Sequence, residues 1–371
     1  MLKVRHKKIA SAKELADFLL KIDLSKTPSS IFTSEDWLTG WISTLHLRST
    51  LLIWFESDNS VVGYTLLTVN RYPSFMPLLK KGWLNQSGKK KFDQIWLEYN
   101  EVICLPHYRS QCMTALISYS FNELSLSELY ISMSSDLLGW ENSAINHELH
   151  WKKIPGYKTN ISNAHTIENI ISDFSKSTRA QLRRSIRKAS DTFGAIYVNE
   201  TPPSELIADF LNLGEVHKAK WSGTADGSGF NNNAFIKHHE YLLSKIGKTS
   251  LLKIYAGTTL LGSAYYLLWE DTVYFYCSGL IQSEVDKHIK AGYLLHIFAM
   301  RHFSNKGYLV YDFLGGEYQY KDSLCSDKYM FYQVSIYNGG FIIKVLRKLV
   351  KSVKKLTSAI KPQVSATIFR R

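Results

Sequence analysis

Asp312, Glu317, Tyr318, Tyr320 and Lys321 crowd behind one short apolar strand, in the segment Gly307-Tyr308-Leu309-Val310-Tyr311-Asp312-Phe313-Leu314-Gly315-Gly316-Glu317-Tyr318-Gln319-Tyr320-Lys321. Carboxylates, phenols and an ammonium just past a strand end can take, give and balance protons. A strand running into a Gly-Gly turn is also where α/β proteins place their chemistry. Upstream, Leu294, Leu295, Phe298 and Phe303 make one helical face, so a helix is expected to open at Gly292. The N–H groups of its first turn have no internal partners, and a glycine there lets a phosphate come close. With Lys287 and Lys290 as counter-charges, Gly292 reads as a diphosphate seat. A single glycine before a helix also serves as plain loop punctuation.

Strand, helix opening at Gly292, second glycine, then Tyr-Asp-Phe-Leu-Gly-Gly-Glu with Tyr320-Lys321 following: this order resembles the GNAT-fold acyltransferases. Within that fold the chain is similar to the CelD-like branch of cellulose and exopolysaccharide biosynthesis, related to the Fem aminoacyl transferases. Two further segments carry the resemblance, Phe174 to Lys188 with its arginines and Lys220-Trp221 followed by Phe235. It is clearest over residues 170 to 335.

The length of 371 residues suggests roughly two domains. With 45% hydrophobic and 13% aromatic residues the composition is globular, and no run is long and uncharged enough to span a membrane. The basic start is broken by Lys13, Glu14 and Asp17, so no secretory signal is expected; Ser11-Ala12-Lys13-Glu14 has capping-box spacing and opens an amphipathic helix with Leu15, Phe18 and Leu19 inward. Cys104, Cys112, Cys277 and Cys325 form no Cys-x-x-Cys pair and read as reduced, mostly buried thiols. His147 and His150 are three apart and lack zinc-protease spacing, so no metal is expected. Asp226-Gly227-Ser228-Gly229 lacks the first glycine of a nucleophile elbow and reads as a loop.

The hairpin pattern around Leu51 to Tyr64 returns about two hundred residues later at Leu251 to Ser263. After the first come a strand at Gln94 to Tyr99, a helix at Met113 to Phe121 and a strand at Glu128 to Met133. After the second come a strand at Thr272 to Tyr276, a helix at 292 to 304 and a strand at Leu309 to Phe313. The recurrence favours tandem halves over one large sheet. The expected fold class is therefore α/β (α+β), two tandem GNAT-like domains, each a mixed twisted sheet flanked by helices. Residues 1–165 form a degenerate first domain, 166–338 the acyltransferase domain and 339–371 a basic helix and tail. The first domain lacks the glycine and the Asp-Phe-Leu-Gly-Gly turn, so chemistry is expected in the second, with the first walling a cleft. Trp37 and Trp41 read as core.

The formal net charge is +13, and residues 341 to 371 hold nine Lys or Arg and no acid. There Ile342, Leu346, Leu349, Val353, Leu356 and Ile360 make an apolar stripe among lysines and arginines. Over residues 341–361 such a helix suits an anionic membrane surface, at about 1 kcal/mol per basic residue, or packs on its own domain or a partner helix. Arg179, Arg183 and Arg187 form a second basic row, able to grip phosphates or to stand as a solvated face.

The resemblance implies direct acyl transfer from acetyl-CoA or another acyl-CoA, with no metal and no covalent enzyme intermediate, to an amine or hydroxyl of a carrier-linked sugar. It assigns Gly292, Lys290, Gly315 and Gly316 to the donor, Asp312 or Glu317 to the base, and Tyr320 or Tyr318 to protonation of the thiolate. Lys321, Trp221, Arg183 and Arg187 then serve the substrate, Trp221 by stacking on a sugar. The chain departs from the general GNAT phosphate motif in having only Gly292 in His288-Ile289-Lys290-Ala291-Gly292. An aminoacyl-tRNA donor, as in Fem-like relatives, is the alternative enzyme reading, and a non-catalytic accessory of a membrane polysaccharide synthase is the third. The expected location is cytoplasmic, with attachment to the inner membrane face through the tail.

Overall fold

The structure, a computed structural model, describes residues 2–340 except 23, 25–26, 28, 46–48, 74–78, 225–226 and 282–288, together with 345–346. The strands are β1 (Lys3–Lys8), β2 (Thr50–Ser57), β3 (Ser60–Arg71), β4 (Lys80–Leu84), β5 (Ile103–Cys104), β6 (Glu128–Ser134), β7 (Glu148–Asn160), β8 (Ile196–Glu200), β9 (Thr249–Ala256), β10 (Thr259–Trp269), β11 (Thr272–Leu280), β12 (Val310–Gly315) and β13 (Asp327–Tyr337). The helices are α1 (Ala12–Leu19), α2 (Glu35–Ile42), α3 (Lys90–Asp93), α4 (Arg109–Asn122), α5 (Leu137–Ser143), α6 (Ile167–Ser172), α7 (Lys176–Phe193), α8 (Leu206–Trp221), α9 (Asn233–Leu243), α10 (Ala291–Asn305) and α11 (Gln319–Leu324). The basic stripe expected over 341–361 lies outside the described residues apart from Val345 and Leu346.

The same order of elements occurs twice: α2-β2-β3-β4-α4-β6 and α9-β9-β10-β11-α10-β12. The two half-sheets are continuous, in the order β1-β2-β3-β4-β6-β13-β7-β12-β11-β10-β9-β8, with β5 paired to β3. Continuity comes from two crossed strands. β7, which follows the first half, pairs with β12, while β13, which follows the second half, pairs with β6. The two crossed strands lie antiparallel to one another from Asp327↔Lys158 to Tyr337↔Glu148. The expected boundary at 165/166 falls in the loop between β7 and α6.

One correction concerns Gln94 to Tyr99. No strand forms there; Trp96 and Tyr99 have φ of 45° and 48°, left-handed values that break a pleat. The earlier β4 takes the strand's place in the order.

Three apolar clusters hold the layers. The central one is shared by both halves, with Trp37, Trp41 and Leu66 of the first packed with Phe210, Phe235 and Tyr265 of the second. Behind the second half, α7 and α10 cover the sheet through Leu182, Leu294 and Phe298; behind the first, α4 does so through Met113, Leu116 and Ile117. Full burial of each large side chain contributes about 1.5–3 kcal/mol, which makes separation of the halves costly. Ser11 caps α1 by accepting from the Glu14 N–H (3.2 Å), and Leu15 and Leu19 are buried.

Where the crossed strands meet β12, Gly156 pairs with both Gly315 and Tyr329. A methyl group at Gly156 would come within 2.3 Å of the Tyr329 ring. Gly156→Ala is therefore expected to displace that ring and lower stability by about 1–3 kcal/mol, read as a lower urea midpoint. An unchanged midpoint would contradict this packing.

Candidate active site between the halves

β11 and β12 run parallel for only three rungs, Thr272↔Val310, Val273↔Tyr311 and Tyr274↔Asp312, and then part. The parting is built locally. A bulge between Asp312 and Leu314 shifts β12 against β7, and Leu314 adopts φ 64°, a left-handed conformation costing about 1–2 kcal/mol for a residue with a side chain. A cavity of about 840 Å³ fills the opening, walled by Phe275 to Ser278 on one strand and Phe313 to Gly315 on the other.

The first turn of α10 lines this cavity through Ala291, Gly292 and Tyr293. Among the described residues no side chain caps the helix; Lys290 occupies the N-cap position and its own N–H donates to Ser185 Oγ on α7 (2.8 Å). The N–H groups of the first turn have no acceptor within the helix and carry the positive end of its dipole. Among the described residues a Cβ at Gly292 would meet only the end of the Leu280 side chain, at 3.2 Å, so no backbone crowds this turn. The turn can therefore receive an anion.

Three ionisable side chains fasten the strained turn at Leu314. Asp312 Oδ1 accepts from the Leu314 N–H (2.7 Å), and Lys321 Nζ donates to the carbonyls of Gly315 (2.6 Å) and Leu314 (3.2 Å). From the first half, Glu98 Oε2 accepts from the Gly315 N–H (2.9 Å). Asp312 also accepts from the hydroxyls of Tyr99 and Tyr329, the latter at 2.7 Å. Burial is the leading cause of each pKa shift here. It raises Glu98 above the usual carboxylate range, with Asp312 adding to the rise and the Lys321 charge opposing it. It lowers Lys321 despite the two carboxylates, and it raises Asp312 despite four stabilising partners. Tyr320 is raised by burial and keeps its proton. It stacks on His296 at 5.1 Å and 10°; burial holds His296 neutral, with a pKa lowered to about 3.

Of the residues singled out in the sequence, Gly292, Lys290, Gly315, Tyr318, Tyr320, Lys321 and Trp221 all line the one cavity. Others lie elsewhere. Asp312 is 1% exposed behind the wall, engaged as described, and Glu317 is exposed on the surface; neither lines the cavity. Gly316 makes the turn at φ 101° outside the lining. Arg183 pairs with Glu168 (2.8 Å), Arg187 is exposed, and neither reaches the cavity, because α7 turns this face outward while Leu182 and Ala189 pack inward.

The lining also holds residues to which the sequence reading gives no role, Glu98, Trp96, His217 and His296 among them. Glu98 and Trp96 come from the segment read as a strand, and Glu98's partner is 217 residues away, beyond any local spacing. His296 left a visible signal, a lone imidazole in an apolar helical run. Among the described residues no group of three His, Cys, Asp or Glu could hold a metal ion.

Residues 176–322 match the acetyltransferase (GNAT) domain. No curated protein matches the chain. Among solved structures, the crystal structure of FemX superposes with a TM-score of 0.59 at 10% identity, over 93% of this chain and 99% of that one. The C-terminal domain assigned to a lysylphosphatidylglycerol synthetase from Agrobacterium fabrum gives 0.52 at 9%, over 97% and 100%. L-PGS from Bacillus licheniformis gives 0.50 at 11%, over 94% and 98%. These likenesses establish the fold across both halves.

Glu98 has a higher pKa folded than unfolded. Its contribution to stability is therefore complete below the ordinary carboxylate range and is lost as pH rises through the folded value. Glu98→Gln removes that loss, so its Tm relative to the parent is expected to rise between about pH 5 and about pH 9. A difference that stays flat or falls would contradict the burial of this carboxyl.

Proposed function

We propose that this GNAT-type acyltransferase moves an acyl group from acyl-CoA to an amine or hydroxyl within the cavity between its halves, with Glu98 as general base. The observation that carries the reading is the juxtaposition, around one cavity, of an uncapped helix start, a parted pair of strands and a buried carboxyl. The α10 first turn, with Gly292 open above it, suits the donor's diphosphate, and Lys290 supplies counter-charge. The apolar walls, Phe275, Leu280 and Phe313 among them, suit a pantetheine arm. CoA supplies the activated thioester. The chain supplies the protons: Glu98 takes one from the acceptor as its nitrogen or oxygen bonds to the acyl carbon, and Tyr320 gives one to the departing sulfur. The proton held by Glu98 then balances the one lost by Tyr320.

A base must be ionised to act, and a carboxylate raised toward the working pH is a stronger base than an ordinary one. Trp221, beside His217 at 5.8 Å on the cavity lining, offers a face for a sugar acceptor. We read the acceptor as a carrier-linked sugar, which the basic stripe over 341–361 would meet at an anionic membrane surface. Among the described residues no helix is long and apolar enough to cross a membrane.

A second donor, aminoacyl-tRNA, draws support from the +13 charge and from the full-length likeness in fold to a lysylphosphatidylglycerol synthetase domain, whose name denotes an amino acid joined to a lipid. The base and cavity would be the same. Only the donor differs.

With acetyl-CoA as donor, an amino sugar as acceptor and thiol release as readout, Glu98→Gln is expected to lower kcat by about a hundred- to ten-thousand-fold. The parent's activity is expected to rise with pH along a limb lying above the ordinary carboxylate range. A Glu98→Gln enzyme with the parent's kcat and pH profile would overturn the assignment.

A further inference from the structure

The first half contains a wedge of its own. β4 and β6 run parallel for three rungs, Lys81↔Glu128, Gly82↔Leu129 and Trp83↔Tyr130, as β11 and β12 do, and then part. This wedge is filled by the chain. Asn100, fully buried, bridges the two parted strands: its backbone N–H donates to the Met133 carbonyl (3.1 Å) on β6, and its Nδ2 donates to the Leu84 carbonyl (2.9 Å) on β4. Asn85, 2% exposed, backs it. Asn85 Nδ2 donates to Asn100 Oδ1 (3.0 Å) and to the Glu101 carbonyl (2.9 Å), while its Oδ1 accepts from the Leu66 N–H (3.0 Å) and Thr65 Oγ1 (3.0 Å).

The residues on either side extend the plug in two directions. Glu101 runs toward the head of α4, the helix that matches α10, where it pairs with Arg109 and accepts from Ser135 Oγ (2.5 Å). Toward the second half, Tyr99 at φ 48° turns the chain so that its hydroxyl reaches Asp312 and Glu98 reaches the Gly315 N–H. Two consecutive residues thus connect the filled wedge to the open one.

We propose that Asn100, with Asn85 behind it, is a positioning residue that plugs the first wedge and thereby holds the Glu98 carboxylate against the Gly315 amide in the second. The proposal rests on the reading of Glu98 as the base. The backbone N–H of residue 100 meets the Met133 carbonyl on one side, and the side-chain amide is the buried donor that satisfies the Leu84 carbonyl on the other, where water is excluded. Asn100 cannot touch substrate, since it does not line the cavity. Its effect passes through the two residues before it, Tyr99 on Asp312 and Glu98 on the Gly315 amide, of which Glu98 lines the cavity.

The test follows the Glu98 carboxyl directly, by infrared difference titration of the full chain against Glu98→Gln, in the parent and in Asn100→Ala. The expected result is that Asn100→Ala moves the Glu98 titration down toward ordinary carboxylate values and lowers kcat at least tenfold, while the calorimetric affinity for acetyl-CoA changes by less than about threefold. In the Glu98→Gln background the same substitution is expected to cost almost nothing further, because the two act as a unit. A folded Asn100→Ala protein whose Glu98 titrates as in the parent, or one that loses kcat equally in both backgrounds, would overturn the proposal. If Asn100→Ala does not fold, the uncharged and nearly isosteric Asn100→Leu, which loses the donor to Leu84, takes its place with the same expectations. Should Glu98→Gln alone leave kcat unchanged, the function assigned to Glu98 falls; should it abolish activity while the Asn100 variants do not move the titration, only the positioning role falls.

Discussion

The left-handed turn at Leu314 is the constraint on which the rest of this molecule depends. A leucine does not hold φ 64° without support, and here the support comes from Asp312, Lys321 and Glu98, each bonded to the backbone between Leu314 and Gly315. The bonds answer one another electrostatically. Without the ammonium the two buried carboxyls would lose the positive charge that both face, and the ammonium without them would face only carbonyls. The turn in turn ends the β11–β12 ladder and opens the cavity. Strain, buried charge and the binding space are therefore one feature, sited where the two halves meet.

The duplication explains how a base from one half reaches a donor site in the other. Each half carries a hairpin, a strand, a helix and a parted strand, and each lends its last strand across the junction, β7 to β12 and β13 to β6. The exchange makes the sheet continuous and leaves little freedom between the halves. One wedge is open, with an uncapped helix start and a glycine over it; the other is closed by Asn100, with Glu101 beside Arg109 at the matching helix. The asymmetry divides the labour, the second half holding the donor and the first supplying the carboxylate.

What could be read from the sequence were the parts with local signals. The hairpins, the helix at 292 to 304 and the cap at Ser11 follow from short-range pattern, whereas the grouping of Gly292, Lys290, Gly315, Tyr320, Lys321 and Trp221, which line one cavity, comes from the family resemblance. Asp312 was conspicuous for the same reason, yet its carboxyl turned out to be occupied with the turn and two tyrosines. Glu98 was invisible because its environment is assembled across 217 residues, and because Trp96 and Tyr99 depart from the pleat that their neighbours suggest. The crossing of β7 and β13 was equally hidden, since a strand's own pattern says which face it buries and not which half it joins.

The central claim is that the open wedge and the first turn of α10 form the donor seat. Calorimetric titration of the full chain with acetyl-CoA, in the parent and in Gly292→Glu, tests it most directly. The substitution adds an anion where, among the described residues, a Cβ meets only the flexible end of Leu280, which can shift to admit it. Binding is expected in the parent, in the micromolar range or tighter, and none in the folded variant. Equal binding by both would put the donor elsewhere, and no binding by the parent would contradict CoA as the donor.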